Sequence, residues 1–272
     1  MRRFFVEALK DQDGTCRITG SEARHMAKVL RMTSGDRLIL MDGRGRHYQG
    51  TITRVSRQAV EVALEARLPN PPASPVDIIL LQALLKSGPM DTLIQKISEL
   101  GADRMVPFEA GRTVVRLDES HRATKMTRWK RIALNAAKQS GRGTPLVVGS
   151  ISSFEGLLDR YRTKRALKVI LWEEEASRDL KGVLRSMSTV HRYVGMVGPE
   201  GGFSGEEIEL ARSAGFIPVS VGRRILRAET AAIAMTAIVQ YELGDLGIPS
   251  VRAPLPDPET DPRSDRGPDP AH

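Results

Sequence analysis

The chain has 272 residues, 40% of them hydrophobic and 27% charged, with a single cysteine. This is long enough for one large or two smaller domains with substantial cores and offers no intramolecular disulfide. Its apolar runs, among them 78–81 and 231–239, fall well short of the roughly 18 residues a membrane span needs, and MRRFFVEALK lacks the apolar run of a secretory signal, so no membrane insertion and a cytoplasmic location are expected. The net charge is +8, and since the last 24 residues hold three Arg against five Asp and Glu, the remainder carries +10; such a body favours a polyanionic partner, nucleic acid foremost.

Residues 1–68 read as short strands, RRFFVE, CRIT, GDRLILMDGRGRHYQGTITRV and AVEVALEA, with Asp42-Gly43 as a hairpin signal. One helix over about 21–30 interrupts them, with Ser21 as N-cap and Ala23, Met26, Ala27 and Leu30 on one face. The pattern predicts a small β-barrel. PNPPASP, residues 69–75, has four prolines in seven positions and predicts a stiff linker at a domain boundary.

From Val76 to Gly247, apolar strands alternate with amphipathic helices. The strands are VDIILLQAL, RMVPF, PLVVG, LKVILW, YVGMVG and FIPVSV, and the helices cover 89–100, 120–139, 153–162, 177–187, 205–214 and 229–243. Near-continuous apolar strands separated by helices predict an α/β domain whose parallel sheet is covered on both faces. Residues 248–272 contain seven prolines and almost no large apolar side chain, the composition of a disordered tail.

GPEGG, residues 198–202, joins the end of a buried strand to a helix opened by a capping box, Ser204 with Glu207. Ligands of open α/β sheets bind at that strand edge, and glycines let backbone approach them; a tight turn with a good cap is the competing reading. The motif is neither a dinucleotide fingerprint nor a P-loop. FIPVSV ends likewise at Gly222 before RRILRAETAAIA, and LKVILW ends before an acidic cluster. Three such loops are expected to line one small-molecule pocket, with Ile225 and Leu226 as apolar walls.

GPEGGFS, VGRRILRAETA, QALLKSGPMDTLIQKISELG and RWKRIALNAAKQSGR, with RRFFV, HMAKVLR and GDRLILMDGRGRHYQG, resemble the RsmE family over about residues 2–246. Members of that family are S-adenosylmethionine-dependent methyltransferases of the SPOUT class that modify N3 of a uridine in 16S ribosomal RNA of the small subunit. The resemblance implies a deep trefoil knot in the C-terminal domain, a PUA-like RNA-binding barrel before it, and a homodimer. It places the cofactor on Leu171, Trp172, Gly198, Pro199, Gly202, Val221, Gly222, Ile225, Leu226 and Arg227.

Arg227 suits electrostatic stabilisation of a deprotonated N3, and Glu229 is a candidate base by location, with a helix-dipole partner as its plainer role. Glu200 reads as an exposed loop carboxylate or, more sharply, as a partner for Arg227 or for the sulfonium region, with a structural partner favoured. Residues 120–142 hold seven Lys and Arg and no acid, among them Arg128, Arg131 and Arg142; with Arg2, Arg3, Arg24 and Arg31 of the barrel they are expected to position RNA phosphates. Cys16 lies in the barrel away from these motifs, and the histidines show no metal spacing, so no metal is expected. Two other readings stay open: a SPOUT methyltransferase acting on another RNA, and a non-catalytic RNA-binding ribosome assembly factor.

Overall fold

The computed structural model describes residues 1–6, 14–69 and 73–248. Most of the expected tail and the centre of the proline-rich stretch lie outside the described residues.

The first sheet contains β1 (Arg2–Phe5), β2 (Thr15–Thr19), β3 (Arg37–Met41), β4 (His47–Val55) and β5 (Ala59–Leu68), in the order β1-β3-β4-β5-β2. β1 runs parallel to β3 and the other pairs are antiparallel. Alternation sets the faces: Cys16 and Ile18 of β2 point inward while Thr15, Arg17 and Thr19 face out. Asp42-Gly43 does mark the β3–β4 hairpin, though Met41 pairs with His47 across a longer loop than the dipeptide suggests. The Asp42 carboxylate organises that loop, accepting from the Arg44 and Arg46 amides at 2.9 and 3.0 Å and pairing with Arg46 Nε at 2.6 Å.

The expected 21–30 helix is α1 (Gly20–Arg24) continued by a π-helical turn, His25–Val29. Its N-cap is Thr19, without a side-chain cap bond, and not Ser21. The wider turn, with Leu30 N bonded to His25 O at 3.0 Å, changes the angular spacing of the following side chains. Ala23 and Met26 are buried, whereas Ala27 and Leu30 are only half-buried.

The second sheet is parallel throughout. Its elements are β6 (Asp77–Ala83), α2 (Ser87–Glu99), β7 (Arg104–Glu109), α3 (Glu119–Ser140), β8 (Val147–Val148), β9 (Ser152–Ser153), α4 (Phe154–Arg162), β10 (Leu167–Leu171), α5 (Leu180–Arg185), β11 (Arg192–Val197), α6 (Gly205–Ser213), β12 (Ile217–Val219) and α7 (Ala228–Leu243). The strand order is β12-β10-β11-β6-β7-β8, with β9 also on β7. Side chains of β6 divide the two cores. Ile78 and Leu80 pack with α2, α3, α5 and α7, while Ile79 and Leu81 pack with α4 and α6. Burial on both faces is why these strands read as unbroken apolar runs.

α5 and β12 are among the elements shorter than their sequence pattern. α5 begins only after Asp179, whose carboxylate caps Gly182 N at 2.8 Å, and Ser177 is held in the preceding loop by the buried Glu175. β12 is three residues long, ending before Ser220 joins the Arg178 carbonyl at 3.0 Å. In β11, a Cβ on Gly195 would crowd Met235 and stand 2.8 Å from the Tyr193 ring, so glycine lets α7 lie directly on the strand.

The end of α3 joins the two sheets. Lys138 Nζ meets Glu22 Oε2 at 2.7 Å, and Gly45 N donates to Gly143 O at 3.3 Å. A Cβ on Gly143 would stand 2.5 Å from His47 Nε2 and 2.9 Å from Gly45 Cα, a separation only glycine permits.

Candidate active site

At the carboxyl ends of β10, β11 and β12 lies a cavity of about 610 Å³. Leu171, Trp172 and Glu173 line it after β10, Gly198, Pro199, Glu200, Gly202 and Phe203 after β11, and the stretch Val219 to Ala228 after β12. Glu229 and Ala231 of α7 and Lys86 and Pro89 beside α2 complete the wall. The structure thus brings every residue expected at the cofactor pocket, together with Arg227 and Glu229, around one space. Its volume is within the roughly 300–1,000 Å³ of small-molecule sites.

Each loop has a local cause. Gly198 meets Phe203 so closely that a Cβ would stand 3.1 Å from the ring, and Gly202, at φ 67°, closes the turn by donating to Pro199 O at 3.0 Å. The Ser204–Glu207 capping box forms in both directions, at 3.2 Å from Glu207 N to Ser204 Oγ and 2.9 Å from Ser204 N to Glu207 Oε2. The loop is also held from outside. Gln82 Nε2 donates to Gly198 O at 3.3 Å, Arg112 Nη1 to Gly201 O at 3.1 Å, and Gly111 N to Glu207 Oε1 at 2.9 Å.

Trp172 N donates to Val219 O at 3.0 Å, which fixes the β10 loop on the β12 edge. Glu175 anchors the next turn of that loop: hydrogen bonds from Ser177 hold its carboxyl below the usual range, and Arg212 lies 3.3 Å away. After β12, Gly222 has a φ of 152°, and Arg227 is the N-cap of α7. The positive end of that helix therefore opens at the cavity, with Glu229 in its first turn.

Ion pairing divides the arginines. Arg122, Arg128, Arg142, Arg185, Arg192 and Arg212 all face carboxylates, whereas Arg223, Arg224 and Arg227 have no ion-pair partner among the described residues. Ile225, between them, is 85% exposed, so it walls the cavity from its rim.

The remaining expected residues take other partners or lie away from the cavity. Glu200 is not paired with Arg227; its carboxylate accepts from Lys86 N at 3.4 Å, at the start of α2. The basic helix is less free than its sequence suggests, because acids from other elements reach it. Arg128 pairs with Asp91 at 2.6 Å and Lys138 with Glu22, while Lys130 and Arg131 face solvent. Arg142 is spent internally, donating to Ser98 O at 2.9 Å and Ala102 O at 2.7 Å beside Asp103. Around the first sheet, Arg2 and Arg3 of β1, Arg24 of α1 and Arg31 after the π-helical turn are exposed. Arg2 and Arg24 also hold the carbonyls of Leu30 and Gly20. Cys16 is buried in that sheet, and burial raises its thiol pKa. Among the described residues no His, Cys, Asp or Glu group is arranged to hold a metal.

Sequence reasoning missed Glu173, Lys86, Arg223, Arg224 and the buried Gln82. Arg223 and Arg224 were legible as members of the Gly222 loop; Gln82 gave no local signal, since it reads as one polar position in an apolar strand.

Comparisons with known proteins agree with this layout. Residues 72–240 match the RNA methyltransferase domain family and residues 18–65 the RNA methyltransferase PUA domain family. Ribosomal RNA small subunit methyltransferase E of Bacillus subtilis is 31% identical over 250 residues, covering 89% of this chain and 97% of the relative. The protein of that name from Mycobacterium tuberculosis is 30% identical over 238 residues, covering 86% and 90%. A crystal structure of ribosomal RNA small subunit methyltransferase E from Neisseria gonorrhoeae, bound to S-adenosyl methionine, superposes with a TM-score of 0.83 at 32% identity over 90% of this chain and 99% of that one.

Proposed function

Because the chain belongs to the ribosomal RNA small subunit methyltransferase E family, we propose that it methylates N3 of a uridine in 16S ribosomal RNA with S-adenosylmethionine as donor. The observation that carries this reading is the convergence of the three strand-end loops on one cavity. The donor set fits the group: close-packed glycine backbone at Gly198 and Gly202, aliphatic walls from Leu171, Val221 and Leu226, and a buried Trp172 Nε1 without a protein partner. When bound, S-adenosylmethionine supplies an electrophilic methyl group.

The residues around it bind and orient. Uridine N3 is a nucleophile only after its proton leaves, and an anion there is stabilised by positive charge fixed in advance. Arg227 and the positive end of α7 converge on the cavity and supply two such sources. Glu229 sits in the first turn of the same helix, where a carboxylate stabilises the helix dipole; we assign it that role ahead of the general base. Alignment of the nucleophile with the donor then supplies much of the rate.

Exposed Arg223 and Arg224 at the rim, with Arg131 and with Arg2, Arg3, Arg24 and Arg31 around the first sheet, form our proposed RNA phosphate contacts. We further propose the division into a PUA-like domain (1–68), a linker (69–75) and a SPOUT domain (76–247), the SPOUT knot, a homodimer and a cytoplasmic site of action.

Incubation with labelled S-adenosylmethionine and small ribosomal subunits lacking the modification tests the reading. Label on N3 of one 16S uridine is expected. Label on transfer RNA or the large subunit instead would move the substrate, and RNA binding with neither S-adenosylmethionine binding nor methyl transfer would favour the assembly factor.

A further inference from the structure

Gln82 is the next-to-last residue of β6, paired on one side with Val197 of β11 and on the other with Pro107 of β7. It is fully buried, yet it does not line the cavity. Its amide nitrogen donates to Ala83 O at 3.1 Å and to Gly198 O at 3.3 Å, while its Oε1 is buried without a partner. A fully buried polar group left half-satisfied is costly, and an apolar side chain at the centre of a parallel sheet avoids that cost. What the glutamine does instead is hold the first carbonyl of the Gly198–Gly202 loop.

A second tie acts on the same loop from outside the cavity. Arg112, in the segment after β7, donates to Gly201 O at 3.1 Å and packs so closely that a Cβ on Gly201 would stand 3.3 Å from its own Cβ. Between these two tethers, Gly202 N closes on Pro199 O. The carbonyls of Gly198, Pro199 and Gly201 are thus all engaged by protein donors, which fixes the peptide planes of a loop whose glycines would otherwise leave it mobile.

We propose that Gln82, seconded by Arg112, is a positioning residue for the cofactor: it sets the Gly198–Gly202 backbone in its binding conformation without touching the ligand. The inference rests on the reading of the cavity as the S-adenosylmethionine site. A loop already ordered before binding does not lose that order's entropy when the ligand arrives, so the effect falls on cofactor affinity.

The test compares full-length wild type with Gln82→Leu, Gln82→Glu and Arg112→Ala, by calorimetry with S-adenosylmethionine and by methyl transfer to small subunits. Gln82→Leu, which loses the donor, is expected to weaken cofactor binding about fivefold to tenfold, the effect of one buried hydrogen bond. The KM for cofactor should rise in step, with kcat at saturating cofactor and KM for the RNA unchanged. Gln82→Glu keeps the shape but places a second acceptor against Gly198 O, and should do no better than leucine. Arg112→Ala removes an exposed tie and should raise the cofactor Kd about threefold without change in Tm. It carries the test should the Gln82 variants fail to fold. Failure of wild type to bind S-adenosylmethionine would remove the cavity reading itself. Wild-type binding with unaltered affinity in folded Gln82→Leu and Arg112→Ala, or a loss confined to kcat, would overturn the positioning role alone.

Discussion

Arg227 and Glu229, two residues apart, face the same cavity, but they are expected to respond differently. The guanidinium of Arg227 stands at the α7 N-terminus without a carboxylate partner among the described residues, free to meet a developing anion. Arg227→Ala should lower kcat/KM about 100-fold, the usual scale for one electrostatic donor removed from a transition state. Glu229→Gln should instead cost about 0.5 kcal/mol of stability, the helix-dipole scale, and leave kcat within a few-fold. A loss near that of Arg227→Ala would return Glu229 to the role of base. Arg142 shows how residue type alone misleads. Its guanidinium is mostly buried and holds Ser98 O and Ala102 O beside Asp103. Arg142→Ala should destabilise the fold by about 2–4 kcal/mol, because buried carbonyls lose a charged donor. Denaturant unfolding measures that loss, and the salt dependence of RNA binding should not change.

The joint between the sheets turns on close approach at the end of α3. Gly143→Ala places a methyl against His47 and Gly45; it should lower Tm by several degrees, a cost of about 1–3 kcal/mol for overpacking. His47 makes the same joint sensitive to acid. Burial first, and the charge of Arg3 second, hold its pKa below the ordinary histidine value. The native state therefore favours the neutral ring. Its contribution is complete above about pH 6.5, the unfolded value, and is lost as pH falls through the lowered native one. Unfolding free energy should fall more steeply between pH 7 and 5 in wild type than in His47→Gln; equal slopes would show that the ring does not report on the joint. Much of this architecture is legible in sequence. Strands buried on both faces need unbroken apolar runs, and strand-end loops that approach a ligand need glycines, so β6, β7, β8, β10, β11, β12 and the cavity wall can be read directly, whereas the Ser152–Ser153 strand has no apolar run to mark it. The π-helical turn at His25–Val29 has no such signature, because HMAKV suits an α-helix equally well. Nor can a window see what faces it: Asp91 reaches Arg128 from 37 positions away and Glu22 reaches Lys138 from 116.

Across the whole molecule, pairing decides which of its many cations can meet RNA. A positive side chain already bonded to a carboxylate releases few counterions when a phosphate arrives, whereas an unpaired one contributes a full share to the salt dependence of binding. Arg128 and Arg142 belong to the first kind, and Arg223 and Arg224, exposed at the cavity rim, to the second. Substituting glutamine at both rim positions should flatten the plot of log K against log salt by about 0.7–0.9 for each phosphate no longer neutralised. Affinity for small subunits should drop most at low salt, while binding of S-adenosylmethionine stays within about threefold if backbone groups hold the cofactor. Arg128→Gln should leave the slope nearly as it is. The opposite ranking would mean that RNA approaches along α3 and displaces Asp91 from its arginine. An unchanged slope in both variants would place the phosphate contacts around the first sheet, where Arg2, Arg3, Arg24 and Arg31 are exposed.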